Sequence, residues 1–233
     1  MNVRMVKSTM LAGLLALVVS PASAQEKPKV DVPQAGVPEI MTIEGTFVRA
    51  AYNNEGYVIL GYETSNRSVG DPWMLLDVGM TVMQRVPNYT LRREALTLTV
   101  PDGTTVPLPS IEEYRKADTR AIQNRNRVQR DSINYFPPTA SRACALVFFP
   151  DLSNRPMPRT ENELSSTRAC LGRLFFPIPG GIQHGQYWLN VKFENSVVRV
   201  PFRILTEDEE KLLGNNYKDI RKQVQEAFRP KKK

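Results

Sequence analysis

LTLTVPDGTTVPL, residues 96–108, alternates Leu96, Leu98 and Val100 with Thr97 and Thr99, stops at Pro101-Asp102-Gly103, and returns from Thr104 to Leu108. A period of two puts the apolar side chains on one face of an extended chain. Pro, Asp and Gly in succession are turn residues for separate reasons: a fixed φ, a side chain that bonds its own backbone, and freedom to take positive φ. The stretch therefore reads as a β-hairpin, and the text on either side keeps the same period.

On the N-terminal side, Thr42 to Ala50 carries Ile43, Phe47 and Val48, Asn53-Asn54-Glu55-Gly56 is a turn signal, and Tyr57 to Tyr62 follows. These two runs predict a hairpin. In Trp73 to Met83, Met74, Leu76, Val78, Met80 and Val82 alternate in the manner of a half-buried strand. On the C-terminal side, Ile133 to Phe136 predicts a short strand. Ala143 to Phe149 is a continuous apolar run, which predicts a strand buried on both faces or covered by an insertion. Leu171 to Phe176, Gln186 to Phe193 and Val197 to Ile204 complete the strands, with Glu194-Asn195-Ser196 turning the last two into a hairpin. Residues 150–168 are a loop by composition.

Two segments break the β period. Residues 110–130 lack Gly and Pro, open on Ser110 and Glu113 as a capping box, and place Ile111, Tyr114, Ala121 and Val128 at roughly helical spacing. They predict one helix inserted between β-rich halves. Residues 206–229 predict a C-terminal amphipathic helix. Thr206 and Glu209 form a second capping box, and Leu213, Tyr217, Ile220, Val224 and Phe228 form one apolar face.

The ends of the 233-residue chain carry most of its formal charge of +7. Of 31 basic residues, Arg4 and Lys7 lie at the N-terminus, and Arg229, Lys231, Lys232 and Lys233 lie in the last five positions. Against 24 acidic residues the body is close to neutral, so a nucleic-acid partner is not expected. Residues 1–24 carry the three parts of a signal peptide: Arg4 and Lys7, the apolar run Leu11 to Val19, and Ala22-Ser23-Ala24 before a cut at Gln25. Nine apolar residues are too few to cross a bilayer as a helix, so no integral membrane segment is expected after signal removal. Residues 25–40, with Pro28, Pro33 and Pro38, predict an extended leader. Residues 41–205 are the expected β domain, 206–229 the terminal helix and 230–233 a basic tail. The expected location is periplasmic or extracellular.

Export makes a disulfide the expected state of Cys144 and Cys170, the only cysteines. Arg142-Ala143-Cys144 leading to Phe148-Phe149-Pro150 is echoed by Arg168-Ala169-Cys170 leading to Phe175-Phe176-Pro177. An antiparallel hairpin of these two strands would put the cysteines at opposite ends, about 17 Å apart, beyond the reach of a disulfide. Either the strands are not hairpin partners or the disulfide is absent, and the long connection between them favours non-adjacent strands whose entry ends meet.

Nine or ten short strands with two helices argue for an antiparallel β-sandwich. GYVILGYETSNRS (56–68) and GRLFFPIPGGIQHGQYWLNVKF (172–193) resemble the strand sequences of immunoglobulin-like modules of exported bacterial proteins, over roughly residues 41–204. The Cys-Trp-Cys arrangement of antibody domains is not matched, because Trp73 and Trp188 fall outside the Cys144–Cys170 interval. The resemblance implies a mainly β fold: an antiparallel immunoglobulin-like β-sandwich with a helical insertion and a C-terminal amphipathic helix. It also implies a binding or structural role.

Chemistry-bearing motifs are sparse. One His excludes a multi-His metal site, and two Cys exclude a zinc cage of Cys type. The sequence has no Gly-rich phosphate loop, no Gly-x-Ser-x-Gly elbow and no His-Glu-x-x-His, and no cofactor or catalytic residue is assigned. His184 sits in a Gly-rich turn as a solvated residue or a general base. Glu44, Glu63, Asp71 and Asp77 lie in β text, with nothing to select a catalytic pair. Tyr52, Tyr57, Tyr62, Trp73, Tyr187 and Trp188 are core residues or a sugar-stacking platform, and alternation puts Tyr187 and Trp188 on opposite faces. Arg115, Lys116, Arg120, Arg125, Arg127 and Arg130 form the densest internal basic segment and are the expected contacts for a partner protein or envelope component. The expected function is an exported, non-enzymatic binding or envelope-scaffold protein. The alternatives are a carbohydrate-binding or carbohydrate-active domain and a periplasmic chaperone or inhibitor.

Overall fold

Asn53 shows how the first hairpin closes. In a computed structural model that describes residues 40–149 and 159–228, its Oδ1 accepts hydrogen bonds from the backbone N–H groups of Glu55 (2.8 Å) and Gly56 (2.9 Å). This is the local turn chemistry expected of Asn. The expected signal peptide, the leader up to residue 39, residues 150–158 of the expected loop, and the basic tail lie outside the described residues.

The protein is mainly β. Strands β1 (Ile40–Gly45), β2 (Val48–Tyr52), β3 (Gly56–Gly61) and β4 (Trp73–Val82) form an antiparallel meander. The single strand expected over 42–50 is instead two, because the chain reverses at Thr46-Phe47 between the paired residues Gly45 and Val48. A short helix α1 (Glu63–Asn66) links β3 to β4. Strands β5 (Tyr89–Arg92), β6 (Leu96–Thr99) and β7 (Thr105–Pro107) follow. The β6–β7 pair is the hairpin read from residues 96–108. Helices α2 (Ile111–Lys116) and α3 (Arg120–Val128) come next, then β8 (Arg142–Leu146), β9 (Glu161–Leu164), β10 (Arg168–Pro177), β11 (Gly185–Lys192) and β12 (Val197–Ile204). Helix α4 (Glu207–Ala227) closes the described chain.

The sheets run β1-β2-β3-β4-β10-β8 and β12-β11-β6-β7, with β5 and β9 as a separate pair. Strands β5 and β9 were not legible as strands, being four residues each with a single buried apolar residue apiece, Leu91 and Leu164. Every strand pair is antiparallel except β10 with β8. The inner faces of the two large sheets share one core. Val58, Leu60, Met74, Leu76, Val78, Met80, Leu174 and Phe176 meet Leu96, Leu98, Tyr187, Leu189, Val191, Val198, Val200 and Phe202. Tyr62 and Phe202 cross between the sheets at 5.1 Å. At one end Glu55, buried, accepts from Asn195 N–H (3.0 Å) and Ser196 Oγ–H (2.5 Å), so the β2–β3 turn holds the β11–β12 turn.

The outer face of the six-stranded sheet is covered too. Leu75 and Phe175 pack with Tyr114, Ile122 and Phe149, and Val48, Ala50, Tyr57 and Ile59 pack with Ile133. Strand β4 is therefore buried on both faces from Met74 to Val82, not half-buried. The helix expected over 110–130 is two helices. Ala117 is extended (ψ 132°) and Asp118 Oδ1 accepts from Arg120 N–H at 3.3 Å, a local bond that competes with helix continuation. Ile122 and Asn126 take the inward face of α3, and Val128 is 86 % exposed. The Ser110–Glu113 capping box forms as expected. Residues 133–136 are irregular and serve as cover, with Ile133 buried on the sheet. The 143–149 run is not a doubly buried strand: β8 is an edge strand, Ala143 and Ala145 are exposed, and the buried Phe148 and Phe149 lie beyond its end.

Cys144 and Cys170 form a disulfide, with Cα atoms 4.2 Å apart. Their strands are neighbours, contrary to the sequence expectation, and run parallel. Arg142-Ala143-Cys144 lies in register with Arg168-Ala169-Cys170. A parallel pair brings like ends together, which the hairpin geometry could not. The near-repeat is thus two strands laid side by side. Helix α4 begins at the expected capping box of Thr206 and Glu209. It lies beside β1, tied by Arg221 to Glu44 (3.1 Å) and by Arg67 to Glu210 (2.5 Å). Its expected apolar face is only half-buried.

Candidate functional site

Asp77 lies on the outer face of β4, directly across from Arg173 of β10. It is 2 % exposed. Asn126, one helical turn after Ile122 on α3, donates to Asp77 Oδ2 at 2.7 Å and to Thr64 Oγ1 at 3.0 Å. Arg130, just past the end of α3, brings Nε to 3.7 Å from Asp77 Oδ1, an ion-pair distance that leaves Oδ1 without a hydrogen bond. Burial raises the Asp77 pKa above the ordinary carboxylate range, opposed by the Asn126 hydrogen bond and by the charges of Arg130 and Arg173. Neighbouring Asp131 is raised to about 6. Burial is the largest cause, the Glu63 N–H bond at 2.8 Å opposes it, and the charges of Glu63 and Asp77 add to it.

Beside this carboxylate, α3 stops covering the sheet and an open cleft of about 530 Å³ appears, lined by Asn126, Arg127, Arg130, Leu146, Leu171, Gly172 and Arg173. Three guanidiniums surround a floor made of β10 and the end of β8, with one carboxylate beneath them. Gly172 permits that floor: a Cβ there would overlap the Leu146 backbone carbonyl. Planar guanidiniums suit bidentate contact with carboxylate or phosphate oxygens. Asp77 holds Arg130 by charge while leaving the cleft net positive.

The expected basic contacts divide. Arg127 and Arg130 line the cleft. Arg125 turns inward to Asp71 (2.8 Å) and also donates to Ser68 Oγ. Arg115 and Lys116 end α2 in solvent, and Arg120, 93 % exposed in its side chain, lies 3.9 Å from Asp118. Sequence reasoning missed Arg173 and Asn126. The available signals were an Arg and an Asp at the middle of two long strands, and a polar residue one turn from Ile122.

The other candidates disperse. Glu44 pairs with Arg221 and Asp71 with Arg125, apart from Asp77, whereas Glu63 starts α1 and its charge, like that of Asp77, acts on Asp131. His184 is exposed in the turn before β11. Tyr62 and Tyr187 are in the core, Tyr52 and Tyr57 stack on the outer face, Arg199 sits over Trp188 at 4.6 Å, and Trp73 borders a proline-lined groove. Among the described residues no group of three His, Cys, Asp or Glu is placed to hold a metal ion, and no helix is long and apolar enough to cross a membrane. Comparisons with protein-family models, curated proteins and solved structures return no match.

Proposed function

We propose that this chain is an exported binding protein, built as an immunoglobulin-like β-sandwich, that takes an anionic group of a protein or envelope partner into the arginine cleft. The convergence of Arg127, Arg130 and Arg173 from two elements on one open cleft carries this reading. The sheet floor is fixed by its backbone pairing, so the ordering cost of binding falls on the arginine side chains, of which Arg127 and Arg130 are exposed. The export component rests on the charged, apolar and small-residue order of residues 1–24. The carbohydrate alternative has less support, since its aromatic residues are spread over the core, the outer face and an Arg-stacked strand.

Titration calorimetry with inorganic phosphate and with a short acidic peptide tests the binding reading. Both are expected to bind at low salt. Each Arg→Ala change at 127, 130 or 173 is expected to weaken binding by roughly 1.5–3 kcal/mol, the scale of a charge-assisted hydrogen bond. Equal affinity of wild type and the triple variant would reject the cleft. Cell fractionation with N-terminal sequencing tests export, the expected mature start being Gln25.

A further inference from the structure

The bonding of β8 points to the form of the partner. In a parallel pair, a residue that donates to the neighbour before its partner also accepts from the one after it, and the next residue turns both groups away. Arg142, opposite Arg168, donates its N–H to the Thr167 carbonyl. Arg142, Cys144 and Leu146 therefore direct their backbone groups to β10, and Ala143 and Ala145 direct theirs outward. Among the described residues strand β8 is the last strand of its sheet, and both alanines are exposed. Their methyls crowd nothing that approaches the edge. Leu146, the end of the same strand, lines the arginine cleft. Among the described residues the edge is open at Ala143 and Ala145 and closes at Val147, whose N–H (3.2 Å) and carbonyl (3.5 Å) are held by the Asn162 side chain, so the open stretch ends beside a site with three cations.

We infer that the partner is an extended acidic peptide segment, added as a strand along the free edge of β8 with an acidic side chain in the Arg127–Arg130–Arg173 cleft. This rests on the anion-binding reading of the cleft. Backbone bonds to Ala143 and Ala145 supply sequence-independent affinity, and the cleft selects for acid, the usual division of labour in strand addition. Arg142, exposed at the start of β8, extends the positive field along the edge, while Arg168 opposite it lies 4.0 Å from Glu163.

Fluorescence polarisation with labelled β-prone peptides tests the inference on the full mature chain. One peptide alternates Val and Glu, a second replaces Glu by Gln, and two more carry N-methyl groups on alternate amides, one in each frame. The Glu peptide is expected to bind about tenfold or more tighter than the Gln peptide and than at least one N-methylated frame, tenfold being one good hydrogen bond's worth. Ala145→Pro removes an outward N–H and no bond to β10, as an edge position allows, and is expected to cause the same loss. The N-methyl peptides give that answer without a variant that has to fold. If the Glu peptide binds, and weakens with Arg127→Ala and Arg173→Ala but ignores both N-methyl frames and Ala145→Pro, strand addition is wrong and the anion cleft stands. If neither phosphate nor any peptide responds to the Arg changes, the cleft reading itself has failed. Preferential binding to phosphatidylethanolamine–phosphatidylglycerol vesicles over the Glu peptide also overturns the peptide assignment.

Discussion

Gly172 and Asp131 show how single residues set the outer face. Gly172 lets the end of β8 lie against β10, because the Leu146 carbonyl occupies the space a Cβ would take. Gly172→Ala is expected to displace backbone, not a flexible side chain, and to cost about 1–3 kcal/mol, read as a lower urea midpoint with an unchanged slope. Asp131 receives the Glu63 N–H while half-buried near Asp77, and its pKa rises to about 6. The unfolded carboxyl titrates near 3.9. Between these values the folded state holds more proton than the unfolded state, so the contribution is complete below about 4 and is lost as pH rises through about 6. Asp131→Asn retains an acceptor for Glu63. It is expected to raise stability at pH 7–8 and to flatten the pH dependence between roughly 4.5 and 6.5, where one proton accounts for at most about 1.4 kcal/mol per pH unit. Urea midpoints across that range measure it; a wild-type slope retained in the variant would sink the assignment.

At the scale of elements, α4 is loosely held and α3 firmly. None of the residues of α4 is fully buried, whereas α3 inserts Ile122 and Asn126 into the sheet cover. The Thr206–Glu209 capping box and the Arg203–Glu209 pair (2.7 Å) fix where α4 starts. Thr206→Ala is expected to remove about 1 kcal/mol of helix stability. The loss should appear as faster hydrogen exchange over 207–227 with little change in the global urea midpoint, since α4 buries none of its residues fully and sets only the half-buried Leu213 against the main core. A matching drop in the global midpoint would show that α4 and the sheets unfold as one.

For the molecule as a whole, the disulfide ties the last strand of the six-stranded sheet to the longest inner pairing. Cys144 and Cys170 close a loop of sequence separation 26, worth about 3–4 kcal/mol in the chain-entropy account. The Cys144→Ser/Cys170→Ser double variant is expected to lose about that much in urea unfolding. It should also lose exchange protection first at β8, where only the β10 pairing remains. Because β8 floors the cleft, phosphate binding should weaken in the same variant.

Local chemistry in the sequence determined the strands with strong alternation, the 96–108 and 186–204 hairpins, both capping boxes and the existence of the disulfide. Each depends on residues within a few positions, or on a pair with no other partner. Tertiary structure alone decided the rest. Strands β5 and β9 are four residues each with one buried apolar residue apiece, too little for an apolar period, and they pair with each other. The parallel β8–β10 register is invisible locally, since strand direction depends on the path of the chain between the two strands. The burial of β4 on both faces and the outward turn of Val128 follow from where α3 lands. The cleft joins Arg127 and Arg130, read from a basic run, to Arg173 and Asp77, which only a cross-strand register brings opposite one another. Sequence spacing fixes which side chains share a local face; only packing fixes which faces meet.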